Sequence, residues 1–491
     1  MANQYIDTLK QFIETDHSPV TQSAQQTAVA LYQRVVQQVP AYAQFLHDHD
    51  IADPNAISVD TFAQLPLVTK QNYVNAYPLP ERCWEGKLEQ CEFVAFSSGS
   101  TGTPTLWPRS LNHEVAIAER FDAVFRDSFQ AHQKPTLAVV CFALGTWVGG
   151  MFTSFCLRYL AQKGYPITLV TPGNNKTEIL RVVKQLSPFF EQTVLLGYPP
   201  FVKDVVDSGC AENINWQALQ IKLVFAGEVF SEEWRELMYQ RLGTSNPYHD
   251  SVTLYGTADA GVLGNETPLS ICIRRYLAKH PDVSRALFGE SRLPTLVQYD
   301  PHQRYFEVTP EHTLVITGDN GVPLIRYHIA DKGGLFSYQE LLLRLQQHGF
   351  DPITELSATE NPSPNPFVYV FGRADFTVSF FGANIYPENI SVALEQPDTA
   401  RWVTGKFVLS AKPEAQTPYL SIAIELLPNV SAAEVDQPKL IESIVRELKR
   451  LNSEFANYVP ETYQTPQVSL HPFGDPDYFP VGIKHRYTRK T

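Results

Sequence analysis

The sequence predicts an α/β protein: a large N-terminal domain of mainly parallel sheets with packed helices, followed by a small C-terminal α/β domain. Three observations predict it. Short apolar runs ending in turn residues alternate with longer runs of helical periodicity between residues 137 and 259, the pattern of βαβ units whose strands pair in parallel. The 491 residues, 44% of them hydrophobic, exceed the size at which one apolar core stops growing, so more than one domain is expected. A stretch rich in Pro, Ser and Asn near 355–368 then interrupts the alternation, and the ~115 residues beyond it suffice for a small domain. The expected domains are 1–375 and 376–491.

The elements follow in order. The chain opens on MANQYIDTLKQFIETDH, which is amphipathic and acidic, unlike the basic and then apolar start of a signal peptide. Residues 20–50 have helical periodicity. Residues 137–157, LAVVCFALGTWVGGMFTSFCL, carry no charge over about the length of a membrane-spanning helix. Gly145, Gly149 and Gly150 interrupt them, however, and a β-branched run opens them, so they read as buried strand, turn and helix. ITLVTPG (167–173), TVLLGYPP (193–200), IKLVFAGE (221–228) and VTLYGTAD (252–259) each read as a buried strand ending in a turn. Helical NKTEILRVVKQL and SEEWRELMYQRL lie between them. The second domain offers strand-like GKFVLS and YLSIAIELL and the helix PKLIESIVRELKRLN. In parallel sheets ligands collect beyond the carboxyl ends of strands, and here those ends carry Gly, Thr, Asp and Glu.

Charge narrows the partners. With 52 acidic against 39 basic residues the net charge is −13, which argues against nucleic acid and anionic membrane. Cysteines 83, 91, 141, 156, 210 and 272 form no C-x-x-C pair and have no neighbouring His at metal spacing. That predicts free buried thiols, no zinc site and a reducing, cytoplasmic location.

The most specific stretch is FSSGSTGTPTLWP (96–108), a Ser/Thr/Gly loop after the apolar run Phe93–Phe96. It lacks the Gly-Lys-Ser/Thr ending of a Walker loop. Such a loop still holds phosphate through backbone N–H groups and hydroxyls when Mg²⁺ supplies positive charge; its plainer reading is a solvated turn.

The loop resembles the phosphate-binding loop of the adenylate-forming superfamily, and SSGSTGTPT is most similar to the version in phenylacetate-CoA ligases. Five further segments resemble that superfamily in the same order. FAGEVF (225–230) is similar to its adenine-contacting segment, YGTADAG (255–261) to its Tyr-Gly-x-Thr-Glu motif, and PLIRYHIAD (323–331) to the segment whose Asp holds the ribose hydroxyls. GRADFTVSFFGANIYPENI (372–390) is similar to the hinge and start of its mobile C-terminal domain, and GIKHR (482–486) to the terminal segment with its catalytic lysine.

The resemblance implies a reaction in which a carboxylate attacks the α-phosphate of ATP, followed by transfer of the acyl group to coenzyme A. It assigns Ser97, Ser98, Gly99, Ser100, Thr101, Gly102 and Thr103 to the phosphates, with Gly227, Glu228, Val229, Tyr255, Gly256 and Thr257 to the nucleotide. It further assigns Asp259 to Mg²⁺, Asp331 to the ribose, Arg373 to ribose or phosphate, and Lys484 to catalysis, delivered by a small domain turning about Asp375. Asp259 stands where the family has Glu, Ala258 where it has Thr, and Ile329-Ala330 where it has Thr-Gly. Ile483 separates Gly482 from Lys484, which the family joins directly. Plainer readings make Asp259 a turn acid, Asp331 a partner of Arg326, and Lys484 part of a solvated basic tail.

The partner implied is a small-molecule carboxylic acid, aryl or apolar, with Trp107, Trp147 and Tyr198-Pro199-Pro200 as pocket candidates; core packing explains these residues equally well. Alternatives are a catalytically reduced nucleotide-binding module, or adenylation with transfer to a carrier protein or another acceptor. A homodimer is a further expectation.

Overall fold

The computed structural model describes residues 19–97, 105–244, 246–290, 292–356, 362–373, 378–381, 383–412, 418–479 and 487–488. Helices Pro19–Gln38 and Pro40–Asp48 realise the periodicity read between 20 and 50. Pro40 falls at the first turn of the second, where a missing N–H costs nothing.

Strands β1 (Phe93–Phe96) and β2 (Leu106–Arg109) pair antiparallel and bracket the glycine-rich loop. Strands β3 (Thr136–Val140), β4 (Ile167–Val170), β5 (Gln192–Gly197), β6 (Ile221–Ala226) and β7 (Ser251–Thr257) then alternate with helices, and all their mutual pairings are parallel. Next come β8 (Gly261–Asn265), β9 (Thr295–Gln298), β10 (Tyr305–Val308), β11 (Thr313–Gly318), β12 (Leu324–Phe336) and β13 (Phe367–Arg373). All eleven from β3 to β13 form one sheet in the order β10-β11-β12-β13-β9-β8-β7-β6-β5-β3-β4. The α/β class holds, but within this sheet parallel pairing is confined to β3–β7; its other strands join antiparallel. Hairpin-linked strands need no crossover helix, so the βαβ pattern read from the sequence ends where the antiparallel half begins.

The parallel strands are buried on both faces because their side chains alternate. Leu137, Val139, Leu195, Leu223 and Phe225 meet the helices Lys176–Leu186, Pro199–Ala211 and Glu232–Leu242. Their neighbours Ala138, Val140, Val194, Leu196 and Val224 meet the helices Leu111–Ala123 and Val148–Gln162. Residues 137–157 are thus strand, turn and helix, as their glycines predict. No helix among the described residues is long and apolar enough to cross a membrane.

Beyond β13 the chain builds a separate core. It contains the hairpin β14 (Val378–Phe380) and β15 (Ala383–Ile385), and a sheet of β16 (Val403–Lys412), β17 (Tyr419–Leu426) and β18 (Gln467–His471). Helix Gln437–Leu451 lays Leu440, Ile444 and Leu448 on it at helical spacing. The boundary expected at 375 lies outside the described residues.

All six cysteines are free. Four are buried as expected, but Cys91 is half-buried and Cys210 is exposed, in the solvent-facing last turn of helix Pro199–Ala211.

Candidate active site

The last part of β7 and the middle of β12 share a reciprocal pair of contacts. Tyr255 on β7 donates its hydroxyl to Asp331 Oδ2 on β12 at 2.8 Å, and Tyr327 on β12 donates to Asp259 Oδ2, just past β7, at 2.6 Å. Each tyrosine thus orients the carboxylate carried by the opposite strand, and a hydrogen bond to a charged acceptor contributes about 1.5–3 kcal/mol. Both carboxylates are largely buried, Asp259 at 3% and Asp331 at 7% exposure. A buried carboxylate calls for compensating charge and hydrogen bonds.

Part of that charge comes from Lys70, whose Nζ lies 3.2 Å from Asp259 Oδ1. Sequence reading missed it. Lys70 opens a short helical turn, Lys70–Val74, capped by Thr69 and Asn72, which bond reciprocally at 2.7 and 3.1 Å. The preceding Val68 pins this turn to β12: its N–H donates to the Arg326 carbonyl, and the His328 N–H donates to its carbonyl. The ammonium also sits 5.9 Å from the Trp107 ring, which meets Tyr327 edge-on. Trp107 is therefore a buried wall beside Asp259.

The turn between β7 and β8 is tightly built. Thr257 Oγ1 accepts from the Ala260 N–H at 3.1 Å. A side chain at Gly256 would come within 2.7 Å of the Gly261 carbonyl oxygen. Asp331 follows Ala330, whose φ of 63° is the left-handed conformation that glycine adopts without strain. Arg326 pairs with Glu307 at 3.0 Å. Arg373 lies opposite Asp331 in the β12–β13 register.

Of the glycine-rich loop, Ser97 is described and closes its base: Ser97 N–H donates to the Thr105 carbonyl at 2.9 Å, and its Oγ accepts from Thr105 N–H at 3.1 Å. Ser98, Gly99, Ser100, Thr101, Gly102 and Thr103 lie outside the described residues, as does Lys484. Phe96 N–H donates to Thr146 at 2.9 Å, which sets the GTWVGG segment and Trp147 beside the loop.

The segment Phe225–Phe230 is held from behind. Arg274 donates to the Phe230 carbonyl at 2.8 Å and pairs with Glu232 and Glu266; Arg235 pairs with the same two carboxylates. These four side chains are buried, and the two guanidinium groups hold the Glu266 carboxyl below its usual range against the opposing effect of burial. Within the segment Gly227 has φ of 90° and faces the Tyr198 ring.

The small domain closes over this segment. Glu228, Val229, Tyr198's neighbours Pro199 and Pro200, and Lys203 line one wall of a narrow cleft; Glu388, Glu395, Gly405 and Tyr487 line the other. Lys203 Nζ reaches across, 3.7 Å from Glu395 and 3.3 Å from the Thr404 carbonyl. Tyr487, three residues past Lys484, is anchored by its carbonyl on Leu409 N–H at 2.7 Å and by its ring against Phe407. No cluster of three or more His, Cys, Asp or Glu groups suited to a metal occurs among the described residues.

Comparisons with known proteins bear on the fold. No family model matches the chain, and no curated relative matches it. Solved structures do. A 2-hydroxyisobutyryl-CoA ligase in the postadenylation state, in complex with 2-HIB-AMP, aligns with a TM-score of 0.65 at 16% identity, over 96% of this chain and 89% of that one. The same ligase with 2-HIB-AMP and CoA in the thioesterification state gives 0.52 at 16% identity over the same shares. An acyl acid amido synthetase in complex with 2,4-DB gives 0.57 at 12% identity, again over 96% and 89%. The chain has the fold of the adenylate-forming ligases.

Proposed function

We propose that the protein activates a carboxylic acid with ATP, forming an acyl-adenylate and pyrophosphate, and then passes the acyl group to coenzyme A with release of AMP. The observation that carries this reading is the crossed Tyr255–Asp331 and Tyr327–Asp259 pair between β7 and β12, near the base of a Ser/Thr/Gly loop. It offers an acceptor for ribose hydroxyls and, on the crossed partner, an anchored carboxylate with a transferable cation.

In the first step a carboxylate oxygen of the acid bonds to the α-phosphorus as the bond to the bridging oxygen breaks and pyrophosphate leaves. Asp331 holds the ribose, and the Gly227–Val229 backbone lies along the adenine. Lys70, 34% exposed, is free to swing its ammonium from Asp259 to a phosphate oxygen, a charge-assisted contact of the kind that stabilises a leaving polyphosphate. Each Asp259 oxygen keeps lone-pair capacity beyond its bond to Tyr327 or Lys70, so it suits one hard-cation position of the sort Mg²⁺ takes with phosphates and water. Bound there, Mg²⁺ would neutralise β- and γ-phosphate charge. In the second step a thiolate attacks the acyl carbon, and AMP leaves carrying the former carboxylate oxygen. Lys484 would neutralise charge in the first step only.

ATP–pyrophosphate exchange across a panel of aryl and apolar carboxylates tests the first step. Exchange with at least one acid is expected; none with any acid contradicts the reading. Repeating the panel with coenzyme A, a carrier protein and amino acids identifies the acceptor, and a thioester product is expected. Preference for an aryl acid would support the phenylacetate-CoA ligase subtype.

A further inference from the structure

Two arginines are buried beside Asp259 without a carboxylate at ion-pair distance among the described residues. Arg109, the last residue of β2, is 0% exposed; it donates Nη1 to the Asn320 carbonyl at 3.2 Å and Nη2 to the Ala258 carbonyl. Arg304 is 5% exposed; it donates Nη1 to the Gln303 carbonyl at 2.7 Å and Nη2 to the Ala260 carbonyl at 3.4 Å. The same Nη2 lies 3.1 Å from Nε2 of buried His113. Burial pulls both guanidinium groups down to about 10, still protonated at neutral pH.

Burying an unpaired charge is expensive, so two of them on one turn call for a reason. The reason lies in where their protons point. Each takes one carbonyl beside Asp259, Arg109 that of the residue before it and Arg304 that of the residue after it. A donor with several fixed N–H vectors holds a peptide plane in a way that a lysine cannot. His113 completes the grip, because a side chain at Gly261 would fall 3.3 Å from its ring and 2.5 Å from Ile117. Arg109 also ends the strand that closes the glycine-rich loop, so the loop and the Asp259 turn share one rigid support.

We infer that Arg109 and Arg304 are positioning residues that clamp the 258–260 turn on both sides of Asp259, fixing its carboxylate toward the phosphate end of the site. The inference rests on the proposed role of Asp259, but the clamp itself is open to a test that does not. Amide hydrogen exchange is measured on the full chain for Arg304→Met, Arg304→Lys, Arg109→Lys and wild type, comparing the 257–261 turn with β5. Faster exchange confined to the turn is expected, by at least about tenfold for Arg304→Met and less for the lysine variants, which keep charge but lose fixed donors. Unchanged exchange in the turn, or an equal rise in β5, overturns the clamp; should Arg304→Met fail to fold, the two lysine variants decide.

Activity then tests the purpose. Arg304→Lys should lower the kcat of ATP–pyrophosphate exchange about tenfold with ATP KM changed less than about threefold, and add nothing to the loss in Asp259→Asn. Additive losses would make the arginines general stabilisers. If wild type shows no exchange with any carboxylate, the proposed function fails while hydrogen exchange still decides the clamp.

Discussion

At the scale of single residues, the crossed tyrosine–aspartate pair makes the sharpest demands. Tyr327→Phe removes the donor to Asp259 Oδ2 and leaves the ring packed on Trp107; it should cost about 2 kcal/mol in chemical denaturation. Asp259→Asn should abolish most adenylation yet change stability less than Tyr327→Phe changes it, because Asn still accepts from the tyrosine. Exchange assays on the purified variant check this, and wild-type activity would remove Asp259 from the phosphate site. Ala330 offers a test in the opposite direction. Its left-handed φ strains an alanine, so Ala330→Gly should raise stability by up to about 1 kcal/mol, the gain in strain being partly offset by unfolded-chain entropy. The resemblance of YGTADAG and PLIRYHIAD singled out Tyr255, Asp259 and Asp331 in the sequence, and the structure brings these three side chains together. The sequence reading missed Lys70, which reaches the site only because Val68 pairs with β12. Tyr327 did leave a signal: YGTAD and YHIAD share the spacing Tyr-x-x-Ala-Asp, and both tyrosines use it alike.

At the scale of elements, the helix Leu111–Ala123 carries a pH-sensitive contact. Burial, then Arg109 and Arg304, push His113 well below its usual 6.5, so the folded protein holds it neutral and able to accept from Arg304. The unfolded chain protonates it near the ordinary value. Stability from this group is therefore complete above about 6.5 and is lost progressively as pH falls below it. Urea denaturation between pH 7 and 5 should show that slope, and His113→Asn should flatten it. Helices Glu232–Leu242 and Pro268–Lys279 carry the arginines of the Glu266 network; Glu266→Gln removes one of the two carboxylates that each buried arginine pairs with and should cost about 3 kcal/mol. The parallel half of the sheet was legible because buried strands between helices leave continuous apolar runs. The antiparallel half was not: β12 runs 13 residues with register shifts against both neighbours, and a bulged, unevenly buried strand gives no clean period.

At the scale of the whole molecule, ion pairs join the two cores: among the described residues, Lys203 with Glu395, Arg292 with Glu388 at 3.7 Å and Arg450 with Glu233 at 2.9 Å. Glu395 is buried, and burial raises its pKa above the ordinary carboxylate value, so Lys203→Met removes the cation that offsets that desolvation. Small-angle scattering should then report a larger radius of gyration than wild type; an unchanged value would mean that the cleft is held by other contacts. Tyr487 lines the same cleft as Glu228, and the resemblance of GIKHR assigns Lys484 to catalysis. Lys484→Ala should lower acyl-adenylate formation by orders of magnitude while thioester formation from supplied acyl-adenylate persists; equal loss in both would make it a docking residue.

In the proposed reaction a carboxylate oxygen of the acid attacks the α-phosphorus of ATP. Its most direct test is a turnover with a ¹⁸O-labelled carboxylate found active in exchange, followed by mass spectrometry of the products. One labelled oxygen in AMP and none in pyrophosphate is the result predicted. Unlabelled AMP, or label in a phosphate or pyrophosphate product, would contradict it.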